Sequence, residues 1–520
     1  MILSPSQEIA KTKISKFLKG YHKMFILEGS AGTGKSTVIT HILEEGEFVN
    51  KKIVYSATTN KAVSVLKKYS NNSEKYSFCT IHKLLNIKRK INSTGQGVFD
   101  IINDSSKAKS IYQYDIIVID ESSMITSELL TKMIKIVEKI RGKIIFLGDP
   151  AQLPPVNESH SLIFHTRDIP KFRLKEIMRY KGQIVDLCNS VREIVFDTNF
   201  KIKFSDFKSS NIKIFKDFDK SISKYLKFVK GGFRPIYLVY TNKKCDLINS
   251  TVRANIFKGT KKRFEEGEII LFNNYYMSPK GTKYYTSQQM IVKDLIESSI
   301  DLSGIDIKNI FKIKKNKNKD DCCVLCNNIV QRDSVCGCKL CNQCSSEWLN
   351  NKLVCPYCYI NVTNNIVEIK GDEHLSLNIN QLVDLFEDKK FKIYELILDN
   401  KDSIKTIHGE SLKEYNIFID KVKEKLKDIK TYIDVKYKKN KLFNNVMLNL
   451  WENFYQKYID TIADISYGYA ITTHKSQGSN YKVVFVDMKN IITNNTNQKE
   501  SYRCLYTAVT RTSKYLNILM

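Results

Sequence analysis

Apolar residues gather in short unbroken runs that end in polar residues, a pattern that predicts buried strands and not half-exposed ones. Met24 to Leu27, Ile53 to Tyr55, Ile116 to Ile119 and Lys143 to Leu147 are such runs early in the chain, and Ile236 to Val239, Tyr467 to Ile471 and Val483 to Val486 repeat the pattern later. Val38 to Leu43 is helix-like and follows the first run closely, which points to the α/β class. From Ile87 to Ile102 the alternation is weaker and centres on Asn92-Ser93-Thr94-Gly95-Gln96-Gly97, predicting a β-hairpin with a Gly-rich tip. Gly267 to Asn274, Tyr284 to Val292 and Phe391 to Leu398 read as strands of a small β unit, and Ser411 to Ile429 as a helix with lysines on its polar face. Trp451, Phe454 and Tyr455 fall at helical spacing and are assigned to a core in preference to a base-stacking surface.

Composition adds a partner and a compartment. A chain of 520 residues that is 42% hydrophobic is long enough for two to four packed domains. Its formal charge of +28 favours a polyanionic partner, because lysines that neutralise phosphates release condensed counterions. Lysine greatly outnumbers arginine, and Asn and Ile are abundant, so the charge also fits the composition of an AT-rich genome. No apolar run reaches the roughly 18 residues of a membrane span, and Met1 to Lys19 lacks the apolar block of a signal peptide. An intracellular place is therefore expected, in nucleus or cytoplasm or in a viral replication compartment. Nine of the 13 cysteines crowd between Cys322 and Cys358, which in a reducing compartment suggests metal, whereas Cys79, Cys188, Cys245 and Cys504 read as buried thiols.

The first strand leads into Gly29-Ser30-Ala31-Gly32-Thr33-Gly34-Lys35-Ser36-Thr37, a complete P-loop between strand and helix. Its glycines let backbone N–H groups curl around phosphates at a helix N-terminus, Lys35 reaches the β- and γ-phosphates, and the Ser36 hydroxyl ligates Mg²⁺. Ile116 to Ile119 ends in Asp120-Glu121; Asp120 would hold Mg²⁺ through its coordination shell and Glu121 would take a proton from the attacking water. An acidic pair at a strand end is often merely solvated, but the P-loop upstream favours chemistry. ATP and Mg²⁺ are the expected cofactors.

Late in the chain Thr473-His474-Lys475-Ser476-Gln477-Gly478-Ser479, polar between two strand-forming runs, resembles motif V of superfamily 1 helicases. Gly148-Asp149-Pro150-Ala151-Gln152-Leu153-Pro154-Pro155 resembles motif III, Leu174 to Arg179 motif IV and Tyr506 to Arg511 motif VI. Ser56 to Ala62 resembles motif Ia, Thr80 to Leu85 motif Ib, and Leu3-Ser4-Pro5-Ser6-Gln7 the Q motif. The chain is thus similar to the 1B subgroup, the RecD-, Dda- and Pif-like helicases, over roughly residues 1–295 and 395–520.

That resemblance implies roles. Gln7 reads adenine, the P-loop residues and Gly478 hold the nucleotide, Gln152 senses the γ-phosphate, and Arg179 and Arg511 are arginine fingers delivered from a second domain. Thr59, Asn60, Lys61, Thr80, His82, Asn242, Thr473, His474 and Lys475 become DNA contacts, mainly to the backbone that a sequence-indifferent translocase must grip. His82 and His474, taken singly, also suit structural histidines. By the same resemblance the hairpin is a wedge that splits the duplex, although a Gly-rich tip also suits an inert loop, and movement is 5′ to 3′.

Beyond the basic linker Phe311 to Asp320, Cys323, Cys326, Cys336, Cys338, Cys341, Cys344, Cys355 and Cys358 form four close pairs, enough for two tetrahedral Zn²⁺ sites. The spacing resembles a RING finger, with pairs one and three on one zinc and pairs two and four on the other. Cys338 stands where RING fingers usually carry histidine, Cys322 is spare, and Tyr359 stands where active ubiquitin ligases often carry a basic residue. A module of about 40 residues buries too little core to fold without metal. A structural or docking module for DNA or a protein partner is the preferred reading; the other is a ubiquitin ligase that meets a conjugating enzyme through Leu325.

The expected architecture is α/β: two RecA-like P-loop domains, an SH3-like β-barrel insertion and a small RING-like zinc module. The first motor domain spans 1–165 with its wedge at about 86–112, and the second is split into 166–262 and 461–520. The insertion takes 263–310 and 363–400, the zinc module 321–362, and a helical connection 401–460. The expected activity is that of a monomeric ATP-dependent DNA helicase acting on single-stranded and duplex DNA in replication, repair or recombination. An RNA helicase, a ubiquitin ligase tethered to DNA by its motor, and a non-catalytic scaffold are the alternatives.

Overall fold

The computed structural model describes the chain except for residues 1–2, 45–47, 70–74, 92–96, 102–110, 179–181, 303–331, 334–338, 341–359, 364–365, 370–372, 437–446, 449, 452–453 and 494–496. All eight paired cysteines, Arg179 and the hairpin tip lie outside the described residues.

The early apolar runs form a six-stranded, wholly parallel sheet in the order Ser77–Thr80, Ile53–Ala57, Ile116–Asp120, Lys143–Gly148, Met24–Gly29, Lys171–Leu174. Alternate residues face two separate apolar clusters: Val54, Ile117, Ile144 and Phe146 lie in one, and Ile53, Tyr55, Val118 and Ile145 in the other. Burial on both faces is the reason these strands are continuously apolar. Lys171–Leu174 buries only Leu174 fully, as an edge strand can, and it carries the first sheet past residue 165. A parallel sheet brings all its strand C-termini to one rim, where the P-loop, Asp120 and Gly148 therefore meet.

The second sheet is also parallel, in the order Ala470–Thr472, Ile236–Val239, Tyr481–Asp487, Thr512–Leu519, Ile212–Phe215. Segments on either side of a long insertion thus share one sheet. The insertion holds an antiparallel sheet in the order Ser403–Ile407, Lys390–Leu398, Gln289–Asp301, Ile269–Phe272, Ile465–Tyr467, with a short ribbon of Tyr276–Met277 and Lys283–Tyr284. Helices Glu373–Asp384 and Leu412–Lys436 build a further core with Trp451 and Phe454, both almost fully buried, so the aromatic row at 451–455 packs inward. Ile87–Ile91 and Gly97–Ile101 pair antiparallel as the expected hairpin. Among the described residues no helix is long and apolar enough to cross a membrane.

Candidate ATP site and nucleic-acid track

The two parallel sheets face each other across a cleft of about 660 Å³. The P-loop, Asp120, Glu121, Asp149 and Gln152 line one wall, and Gly478, Asn480 and Arg511 the other. Gly29 ends its strand where a Cβ would stand 2.5 Å from Thr33 Oγ1, and Gly32 and Gly34 take φ values of 85° and 76° that only glycine adopts without strain. The buried Thr33 hydroxyl donates to the Ser30 carbonyl at 3.0 Å and closes the loop. Lys35 opens helix Lys35–Glu44, its ammonium donating to the carbonyls of Gly29 at 2.8 Å and Ser30 at 3.1 Å. The Ser36 hydroxyl donates to Asp120 Oδ2 at 2.8 Å. One cation can therefore meet both, and a hydroxyl with a carboxylate is a hard-oxygen donor set that fits Mg²⁺. Glu121 sits at a left-handed φ of 52°, and its N–H donates to Asp120 Oδ1 at 2.8 Å.

Gln7 braces this loop. It is the third residue of helix Pro5–Lys19; its Oε1 accepts from the Ser4 N–H at 2.9 Å, and its Nε2 donates to the Thr33 carbonyl at 3.0 Å. The Ser4 hydroxyl donates to Glu176 Oε2 at 3.1 Å, Ser6 donates to the same oxygen, and the Met178 N–H donates to the Gly32 carbonyl at 2.7 Å. The segment leading to Arg179 therefore leaves the first sheet and is tied to the P-loop, where delivery from a second domain was expected.

Across the cleft the lobes meet at Leu153. Its N–H donates to Thr507 Oγ1 at 3.1 Å, and its carbonyl accepts from Gln477 Nε2 at 3.1 Å. The Gln152 carbonyl accepts from Arg503 at 3.2 Å, and Arg503 also donates to Pro150. Asp149 is buried, and its carboxylate accepts from the Tyr506 hydroxyl at 2.6 Å, the Ala151 N–H at 3.1 Å and Arg192 at 3.4 Å. Arg511 is also buried, its Nε donating to the Thr507 carbonyl at 3.1 Å and its Nη1 to that of Ser479 at 3.4 Å. Asp149, Arg192, Arg503, Tyr506 and Thr507 were absent from the predicted site. Three of them lie inside the quoted motifs, but a motif does not tell which side chain turns to the other lobe.

An AAA domain family matches residues 3–193, and a UvrD-like helicase C-terminal domain family matches residues 467–519, the stretches that supply the two walls. An uncharacterised protein of Acanthamoeba polyphaga mimivirus is 29% identical over the full length of both chains. The ATP-dependent DNA helicase Dda of enterobacteria phage T4 is 26% identical over 54% of this chain and 64% of Dda. RecBCD enzyme subunit RecD of Buchnera aphidicola is 25% identical over 97% of this chain and 72% of RecD. The chain is similar to superfamily 1 helicases of the RecD and Dda kind. It is an ATP-hydrolysing enzyme.

In this helicase the residues expected to touch nucleic acid divide into two groups. Asn60, Asn242 and Lys475 are exposed, and Thr59 and Thr80 cap short helices by accepting from the N–H groups of Ala62 at 3.2 Å and Lys83 at 3.3 Å. Thr473 and Lys61 turn to the protein instead. Thr473 is fully buried, with N–H and hydroxyl both donating to the Val239 carbonyl at 2.7 and 3.2 Å. The Lys61 ammonium donates to the Ser287 carbonyl at 2.8 Å, and burial, with the nearby Arg511 cation, pushes its pKa down to about 8. His474 Nε2 lies 4.0 Å from Glu500, and its ring lies 5.6 Å from that of Tyr240. Burial lowers the pKa of His474 against the pull of Glu500, and burial followed by the Lys132 charge lowers that of His82. Both shifts favour the neutral, donor–acceptor form of the ring.

Proposed function

We propose that this helicase works on DNA, gripping one strand of a duplex and moving 5′ to 3′ as ATP binding and hydrolysis close and open the cleft. The observation that carries the reading is the Leu153 junction: one residue, bonded through its N–H to Thr507 and through its carbonyl to Gln477, adjoins Gln152 at the cleft wall. A change at the γ-phosphate sensed by Gln152 would pass through Leu153 to the segment at His474 and Gln477 and so to the strand. The Gln152 Oε1 is buried with no hydrogen-bond partner among the described residues, as suits a group reserved for the attacking water. Arg511 would neutralise charge on the departing phosphoryl group, with Arg179 as the second cation and Gln7 at the adenine. The charge of +28 suits either polyanion, and the similarity to Dda, a DNA helicase, supports DNA over RNA.

The hairpin at 87–101 is the proposed wedge and the antiparallel sheet at 269–467 the proposed SH3-like insertion. The cysteine pairs would hold two Zn²⁺ in a docking module, a reading supported by their spacing alone. Strand displacement on 5′-tailed and 3′-tailed duplexes is the test. Unwinding of the 5′-tailed substrate alone is expected; activity on the 3′-tailed one alone would reverse the polarity, and none on either would remove the helicase reading from this chain.

A further inference from the structure

One ring pair on the insertion belongs to no core. Tyr275 is 48% exposed, its neighbour Met277 55%, and Tyr285 lies partly open beside Tyr275 with ring centroids 6.1 Å apart and planes tilted by 43°. Single exposed aromatics are ordinary on protein surfaces. This pair differs in how it is mounted. Asn273 and Asn274, just before Tyr275, both donate to Asp464, at 2.9 and 2.6 Å, and Tyr276 after it stacks on Phe272. On the other arm the Tyr285 N–H donates to Gln288 Oε1 at 3.0 Å, and the Tyr285 carbonyl accepts from the Gln288 N–H at 3.0 Å. Ser287 is held at a left-handed φ of 63° with its N–H on the Phe272 carbonyl at 2.8 Å. One exposed and one partly open ring on a backbone bonded this completely are preorganised, so little entropy is lost when something binds between them.

Location indicates what that is. Two residues beyond Tyr285, the Ser287 carbonyl receives the Lys61 ammonium, which lies in the first turn of helix Asn60–Tyr69 beside Thr59 and the exposed Asn60. The ring pair therefore borders the predicted strand contacts. The ribbon that carries it also presents the exposed Lys280 and Lys283, cations suited to a phosphate backbone. A base between two rings needs roughly 7 Å, twice the ~3.4 Å rise per base along a strand, so a V-shaped pair at 6.1 Å has to open only slightly.

We propose that Tyr275 and Tyr285 form a notch that takes one base of single-stranded nucleic acid lying against helix Asn60–Tyr69, a stacking site within the helicase reading on which this inference rests. The test is fluorescence anisotropy with the full chain, using labelled oligothymidylate and an abasic oligomer of equal length at one salt concentration. Tyr275→Ala and Tyr285→Ala are each expected to weaken oligothymidylate binding roughly 5- to 150-fold, the range for loss of one stacked base. Tyr275→Phe and Tyr285→Phe should keep wild-type affinity, and the abasic oligomer should bind wild type and Ala variants alike. ATP turnover without nucleic acid reports that each variant is folded. Wild-type affinity in the Ala variants, or equal losses in the Phe variants, would overturn the notch alone. If the wild type binds neither oligomer, both the notch and the helicase reading fall.

Discussion

Thr507→Val isolates the Leu153 junction. Thr507 is fully buried within helix Gln498–Val509, and valine keeps its shape and a similar helix propensity while removing the oxygen that receives the Leu153 N–H at 3.1 Å. Leu153 is itself only 1% exposed, so its N–H loses a partner with no water to replace it. A stranded buried donor costs about 1–3 kcal/mol, and the cost falls only on the arrangement in which the lobes meet, because an open cleft lets water reach the group. The closing equilibrium should therefore weaken by roughly 5- to 150-fold. Steady-state ATPase with saturating single-stranded DNA should show kcat reduced within that range. Titration with a fluorescent ADP should show nucleotide affinity nearly unchanged, since Lys35, Ser36 and their partners are untouched. Gln477→Ala removes the bond to the carbonyl of the same residue, so the double variant should lose less than the product of the single losses. A wild-type kcat in Thr507→Val, or equal losses of kcat and nucleotide affinity, would refute the reasoning.

Arg511→Ala should lower ATP turnover roughly 10³-fold or more while fluorescent ADP still binds; turnover near wild type would remove its role at the phosphate. Lys61 titrates near 8 in the folded chain against an ordinary 10.5, so between those values the unfolded chain binds more protons and folding is favoured as pH rises. Urea midpoints measured on either side of pH 8 should show the wild type gaining on Lys61→Met with rising pH, and a constant difference would count against a buried ammonium. Metal analysis of the purified chain should find about two Zn²⁺, fewer in Cys355→Ser, with ATPase intact in both; a zinc-free wild type would end the RING-like reading.

Local chemistry is legible in this sequence, and partnership across distance is not. Lys35 and Ser36 were readable because strand, loop and helix succeed one another within a few residues, and Asp120 and Glu121 because they stand at the end of an apolar strand of the same sheet. Trp451 and Phe454 were placed in a core by helical spacing alone, and they are buried. Thr473 and Lys61 look in sequence like polar residues free to touch a phosphate, but their partners Val239 and Ser287 lie hundreds of positions away and only the folded sheets bring them together. Gln7 carried a local signal that could have been used, because Ser4-x-x-Gln7 is the spacing of a helix capping box, and its second bond to Thr33 follows from where that helix docks. Lys171–Leu174 escaped notice because an edge strand with one buried residue has no apolar run to reveal it.

The split second sheet also sets an order of events on the ribosome. Ile236–Val239 is synthesised early, yet its two neighbours, Ala470–Thr472 and Tyr481–Asp487, emerge only near the end. Until then a fully apolar strand has both edges open, the kind of surface that pairs with the wrong chain. Folding of the insertion brings its exit back to its entrance, through the pairing of Ile465–Tyr467 with Ile269–Phe272, and so delivers the late strands beside the early one. Gly468 is the seam, its N–H donating to the Ile269 carbonyl at 2.7 Å in a gap where a Cβ would meet the Ile270 backbone at 2.9 Å. A side chain at position 468 would therefore collide with the insertion at the point where the chain leaves it for the late strands.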